Sequence, residues 1–87
     1  MKRWVVVFRV LANINRLKII QLLGGRKMNV GDIAKELGIS FNATSNHLSI
    51  LKNLDVLEAQ GTAGHVFYSI SPRLSKDFQK AIKISIK

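Results

Sequence analysis

Two short helical patterns in residues 30–57 meet at a Leu37-Gly38-Ile39-Ser40 corner, and that corner constrains the fold of this chain more than any other feature. In the first pattern, over about 30–37, Val30, Ile33, Ala34 and Leu37 recur at helical spacing and share one face. Asn29 is placed to cap its first turn, and Asp32 occupies a capping-box-like position where its charge suits the positive end of the helix. Gly38 then stops the helix, because glycine enters a left-handed C-terminal turn without steric cost. Ser40 starts the next helix by offering a side-chain oxygen to its free amides. In this second pattern, over about 41–54, Thr44, Leu48 and Leu51 form one stripe that also takes in His47 and Leu54. Asn42, Ser45, Asn46 and Ser49 are left facing solvent.

That outward stripe is chemically unusual. A face that only solubilises carries Glu and Lys, which favour helix, whereas Asn and Ser are weak helix formers that compete for backbone hydrogen bonds. Something other than helix stability favours them here. Small hydrogen-bonding residues with no acid among them suit a groove lined by base edges and phosphates, and the two helices have the layout of a DNA-reading helix-turn-helix. Downstream, Val56-Leu57-Glu58-Ala59 reads as a short strand, Gly61-Thr62-Ala63-Gly64 as a flexible tip and His65-Val66-Phe67-Tyr68-Ser69-Ile70 as a returning strand. Val66, Tyr68 and Ile70 would share one face and Phe67 the other. A hairpin directly after a helix-turn-helix is the wing of a winged helix.

From about Phe8 to Pro72 the chain resembles the ArsR family of dimeric winged-helix repressors. Three segments carry the resemblance. Leu11-Ala12-Asn13-Ile14-Asn15-Arg16-Leu17-Lys18-Ile19-Ile20 is similar to the family's entry into its second helix. Ile33-Ala34-Lys35-Glu36-Leu37-Gly38-Ile39-Ser40, followed by Ala43, Ser45, His47-Leu48 and Leu51, is similar to its recognition element. Val66-Phe67-Tyr68-Ser69-Ile70 is similar to its wing strand. The order and spacing of the three carry more weight than any one of them. The fold expected is mainly α with a small β-hairpin, an α+β winged helix-turn-helix of about five helices and a two-stranded wing.

Two departures bear on function. Metal-binding members of the family often use Cys-Val-Cys where this chain has Asn29-Val30-Gly31, and the chain has no cysteine at all. That site and any thiol or disulfide switch are therefore excluded. A second family site uses His and carboxylates on the last helix, but residues 73–87 offer only Asp77, and useful transition-metal sites need three or four convergent ligands. His47 and His65 are too isolated to form another. Neither metal nor cofactor is expected. The wing tip also lacks the Arg or Lys that in the family grips a phosphate, leaving backbone amides, Thr62 and His65 as weaker donors.

Charge points independently to a polyanion. Fourteen Lys and Arg against five acids give +9 in 87 residues, and a dimer doubles that. Such a field favours DNA and repels like copies. A membrane surface is the other natural target of basic chains, but these cations run from Lys2 to Lys87 and do not gather on one amphipathic anchor. No membrane partner is expected, and the location expected is the cytoplasm, on the nucleoid.

The chain reads as one domain, 1–87, near the lower size at which a single core gives comfortable stability. Terminal helices are expected at about 2–11 and 74–86, set off from the wing by Ser71-Pro72. The first is a helix on the resemblance and on the spacing of Trp4, Phe8 and Leu11, because its three valines by themselves favour a strand. In the last, Phe78, Ile82 and Ile86 share a face. In the family the first and last helices form the dimer interface, which implies that role for Trp4, Phe8, Leu11, Phe78, Ile82 and Ile86. The alternative is that they complete a monomer core.

The expected function is a homodimeric, sequence-specific regulator of transcription, a repressor on the resemblance, bound to double-stranded DNA at an inverted repeat. Two recognition helices about 34 Å apart meet successive major grooves. Asn42, Ser45, Asn46 and Ser49 face bases; Asn is the most informative, since its amide pairs bidentately with adenine. Ser40 bonds a phosphate as well as capping, Phe41 touches a thymine methyl or shields the turn, and Lys52 reaches backbone. Arg16 and Lys18 reach backbone too, unless Arg16 instead supports the fold through local hydrogen bonds. Catalysis has little support: there is no Cys nucleophile, no Gly-rich phosphate loop and no convergent carboxylate pair. The serious alternatives are a DNA-coating or architectural protein and a winged helix used for protein contact.

Overall fold

The computed structural model describes residues 12–72 together with Val5, Phe8, Arg9, Leu74 and Lys76. In chain order these form α1 (Ile14–Leu22), β1 (Met28–Asn29), α2 (Val30–Leu37), α3 (Phe41–Asn53), β2 (Leu57–Thr62) and β3 (His65–Ile70). Among the described residues the fold is thus three helices and a small antiparallel sheet. The expected terminal helices lie outside this set apart from Val5, Phe8, Arg9 and Lys76, which have helical backbone, and Leu74, the expected first residue of the last helix, which does not.

Each helix begins on a side chain that satisfies its free amides. Asn13 Oδ1 accepts from the amides of Asn15 (2.9 Å) and Arg16 (3.3 Å). Asn29 Oδ1 accepts from Asp32 N at 2.8 Å, and Ser40 Oγ from Ala43 N at 3.0 Å. These bonds answer the first-turn donors that a helix leaves unpaired. The ends are equally local. Gly38, at φ 69°, closes α2 in the left-handed region, and the amides of Gly38 and Ile39 both donate to Ala34 O. Helix α3 ends in a Schellman motif, with Asp55 at φ 61°, Val56 N donating to Leu51 O and Asp55 N to Lys52 O. At the end of α1, Arg26 Nε reaches back to Leu22 O at 2.8 Å.

The core is one cluster drawn from every layer: Ile19, Ile20 and Leu23 of α1 and its end, Ile33 of α2, Leu48 and Leu51 of α3, and Val56 and Leu57 leading into the wing. Tyr68 and Ile70 cover it from β3, which places that strand's inward face as its alternation requires. Leu54 falls off the stripe and is 37% exposed, because α3 has already ended at Asn53.

Two expectations about the wing need correction. The sheet has three strands, in the order β1-β3-β2, with Met28 opposite Tyr68 and Asn29 opposite Phe67. A two-residue strand carries no readable alternation, so only the pairing with β3 defines it. The hairpin is also longer and its tip narrower than the sequence reading. Val56 precedes β2 as a buried core residue, Gly61 and Thr62 are paired strand positions opposite Val66 and His65, and only Ala63 and Gly64 turn the chain. Both have positive φ, 50° and 81°, as the two-residue turns that match strand twist require.

Candidate nucleic-acid interface

Helix α3 is anchored by its inner stripe. Thr44, Leu48 and Leu51 are fully buried, and the Thr44 hydroxyl, which would otherwise be an unpaired polar group, donates to Ser40 O at 2.8 Å. With that stripe fixed, helical geometry aims Asn42, Asn46 and Ser49 outward, and all three are exposed. Ser45 lies at the edge of this face and is half-buried. Asn53 completes the row at the same spacing and is exposed, a position the sequence reading left out although the helical period reaches it. No acid interrupts α3, so nothing on it repels a phosphate.

The flanking positions separate into two groups. Ser40 is committed through its Oγ to capping α3. Phe41 is 59% exposed at the first turn, and Lys52 is exposed at the far end. The wing brings Thr62 and His65 directly opposite each other at its tip, both exposed, and the His65 ring lies against Phe67 with centroids 6.2 Å apart. Asn29 links the two parts: its side chain caps α2 while its backbone pairs with β3, so the helix-turn-helix and the wing share a fixed point.

His47, expected near the buried stripe, is half-buried with its Nδ1 fully enclosed. Burial, and after it the neighbouring Arg16 charge, hold its basicity below the ordinary imidazole value. Arg16 has no side-chain hydrogen bond to support the fold locally, and its Nε is buried without a partner among the described residues. Of the expected interface set Trp4, Phe8, Leu11, Phe78, Ile82 and Ile86, only Phe8 lies within the described residues, where it is helical and 63% exposed. Among the described residues no helix is long and apolar enough to cross a membrane.

A capped helix pair with a glycine corner, an outward polar row on the second helix and a hairpin tied to the first define a winged helix-turn-helix. Residues 13–59 match the family described as bacterial regulatory protein, arsR family, and the chain belongs to that family. It is 35% identical over 71 residues to the transcriptional repressor SdpR of Bacillus subtilis, covering 82% of this chain and 79% of that protein. To the transcriptional activator HlyU of Vibrio cholerae it is 33% identical over 67 residues, 77% of this chain and 62% of the relative. The solved structure of HlyU from Vibrio cholerae superposes with a TM-score of 0.82 at 28% identity, covering 97% of this chain and 88% of that one. The homodimeric winged helix-turn-helix DNA-binding domain Mb0332 from Mycobacterium bovis superposes with a TM-score of 0.79 at 26% identity, covering 97% and 75%.

Proposed function

We propose that this protein is a homodimeric, sequence-specific transcriptional regulator that places α3 in the major groove of an inverted-repeat operator. The observation that carries this reading is the exposed row of Asn42, Asn46 and Ser49 on a helix whose opposite side is fully buried. Such a row is held rigidly and presents donors and acceptors to base edges, with Ser45 at its margin and Asn53 extending it. Asn42 and Asn46 read adenine through bidentate amide pairs, and the serines discriminate less. Lys52, Thr62 and His65 contact the backbone, which fixes register without reading sequence. Ser40 holds the helix start near a phosphate and Phe41 lies against the groove.

Dimerisation is supported by the homodimeric state of Mb0332 and by the apolar faces carrying Trp4, Phe8 and Leu11 and Phe78, Ile82 and Ile86. Repression is supported by the likeness to SdpR. HlyU is a transcriptional activator on the same fold, so the fold by itself does not set the sign of regulation. The protein is not an enzyme in this reading, and it uses no cofactor or metal; lacking cysteine, it has no thiolate with which to sense one. It works in the cytoplasm, on the nucleoid.

The test is selection of bound duplexes from a random pool at about 150 mM salt, where purely electrostatic binding is much weakened. An inverted repeat with half-sites about one helical turn apart is the expected product. Recovery of unselected DNA would replace this reading with a coating protein, which the +9 charge also suits, and recovery of none with a protein-contact module.

A further inference from the structure

The junction of α1 and α3 holds two buried nitrogens for which neither the core nor the reading row accounts. Arg16 Nε and His47 Nδ1 are both enclosed without a hydrogen-bond partner among the described residues, on two helices that pack together. Buried polar atoms are nearly always paired, so an unpaired couple at one place is a signal. Among the described residues no carboxylate neutralises Arg16, and its side chain makes no hydrogen bond or ion pair there. Arg16 and His47 are each only half-buried, so part of each side chain reaches the surface.

Their chemistry fixes what this edge displays. A guanidinium only donates, while a neutral imidazole has one acceptor and one donor nitrogen. Beside a permanent cation the acceptor belongs at Nδ1, which leaves the hydrogen on the outer Nε2. The result is an edge made of donors alone, held at its base by burial and carrying a full positive charge, one residue from Asn46 on α3. Donors with no acceptor among them suit an oxyanion, and the fork of an arginine matches two oxygens of a phosphate.

We propose that Arg16 and His47 together grip one backbone phosphate of the bound duplex, on the flank of the groove that α3 enters. This rests on the DNA-reading function above and adds to it a phosphate site built from a helix outside the helix-turn-helix. Arg16 supplies the charge and the paired donors, and His47 supplies one N–H.

The experiment is titration of the full-length protein with its selected duplex and with an unrelated duplex over a range of salt. Arg16→Gln should weaken both duplexes by the same factor, leave the selected sequence unchanged and lower the slope of log K against log salt by about 0.9 per phosphate, thus by about two for a dimer. Arg16→Lys, which keeps the charge, should retain most of the slope. With the unmodified protein, one methylphosphonate linkage per half-site should reproduce the loss, and the same linkage should cost Arg16→Gln nothing further. Should that variant fail to fold, His47→Ala takes its place in the methylphosphonate comparison, where it should blunt the effect of that linkage. An unchanged salt slope in Arg16→Gln, with only its melting temperature lowered, would overturn the proposal and leave the DNA reading standing. Absence of binding by the unmodified protein would overturn both.

Discussion

At the corner between α2 and α3 the left-handed residue is Gly38, at φ 69°, whereas the tip of the wing opens on Ala63, at φ 50°, before Gly64. The corner is built from residues locally suited to their positions. Asn29 and Ser40 answer the first-turn amides of their helices, and Gly38 turns the chain where a side chain would be strained. The tip has an alanine where left-handed backbone costs roughly 1–2 kcal/mol. What outweighs that cost is the pairing beneath it: six residue pairs run from Leu57 opposite Ile70 to Thr62 opposite His65. Cross-strand pairs contribute roughly 0.2–1 kcal/mol each, so the ladder wins. The helix-turn-helix is specified position by position, and the wing is specified by its register.

The largest effect expected breaks both regions together. Leu48 is fully buried in the cluster that also holds Val56 and Leu57 at the root of the wing. Leu48→Ala should cost about 2–5 kcal/mol in urea denaturation, with corner and wing lost in one transition. Asn46→Ala should separate reading from folding: the melting temperature stays near that of the parent while discrimination at one base position falls by about 1–3 kcal/mol. If Lys52→Ala and Asn46→Ala proved identical on every duplex, the assigned reading face would be wrong.

Opposite substitutions at the two turns sharpen the comparison. A Cβ at Gly38 meets no atom within 4 Å, so Gly38→Ala tests backbone strain alone and should lose about 1 kcal/mol. Ala63→Gly relieves strain but frees the unfolded chain, and should stabilise by less than about 1 kcal/mol, read by the same denaturation. A loss at both positions would refute the strain assigned to Ala63.

The last prediction concerns the His47 imidazole. Burial and Arg16 keep His47 less basic in the folded protein than in the unfolded chain. Its contribution to stability is therefore full above the unfolded value of about 6.5 and is lost as pH falls through the lower folded value. Between about pH 7.5 and about 5.5 the melting temperature should drop more for the parent than for His47→Gln. Equal drops would place the titration elsewhere.

Much of this molecule can be read from its residues in order. The corner, its caps, the bounds of α2 and nearly those of α3, and the outward placement of Asn42, Asn46 and Ser49 all follow from interactions spanning five residues or fewer. The hairpin was legible too, through the alternation of Val66, Tyr68 and Ile70, but its tip was not. Gly61 and Thr62 look like turn residues, and only the register with His65 and Val66 makes them strand. Asn53 was missed at the frayed end of a period, and Asn13 as a cap because its partners lie in a helix whose start no apolar pattern marks.

The sequence by itself determined the helix-turn-helix, because capping and helical spacing are local and act wherever the chain goes. Tertiary structure alone decided three things. It made Met28 and Asn29 a strand, since two residues are a strand only when a partner offers its ladder. It fixed the depth of the wing, since register is a property of two segments and not of either one. It brought Arg16 beside His47, thirty-one positions along the chain, where burial and a shared field give each side chain a character that its own neighbours in sequence do not impose.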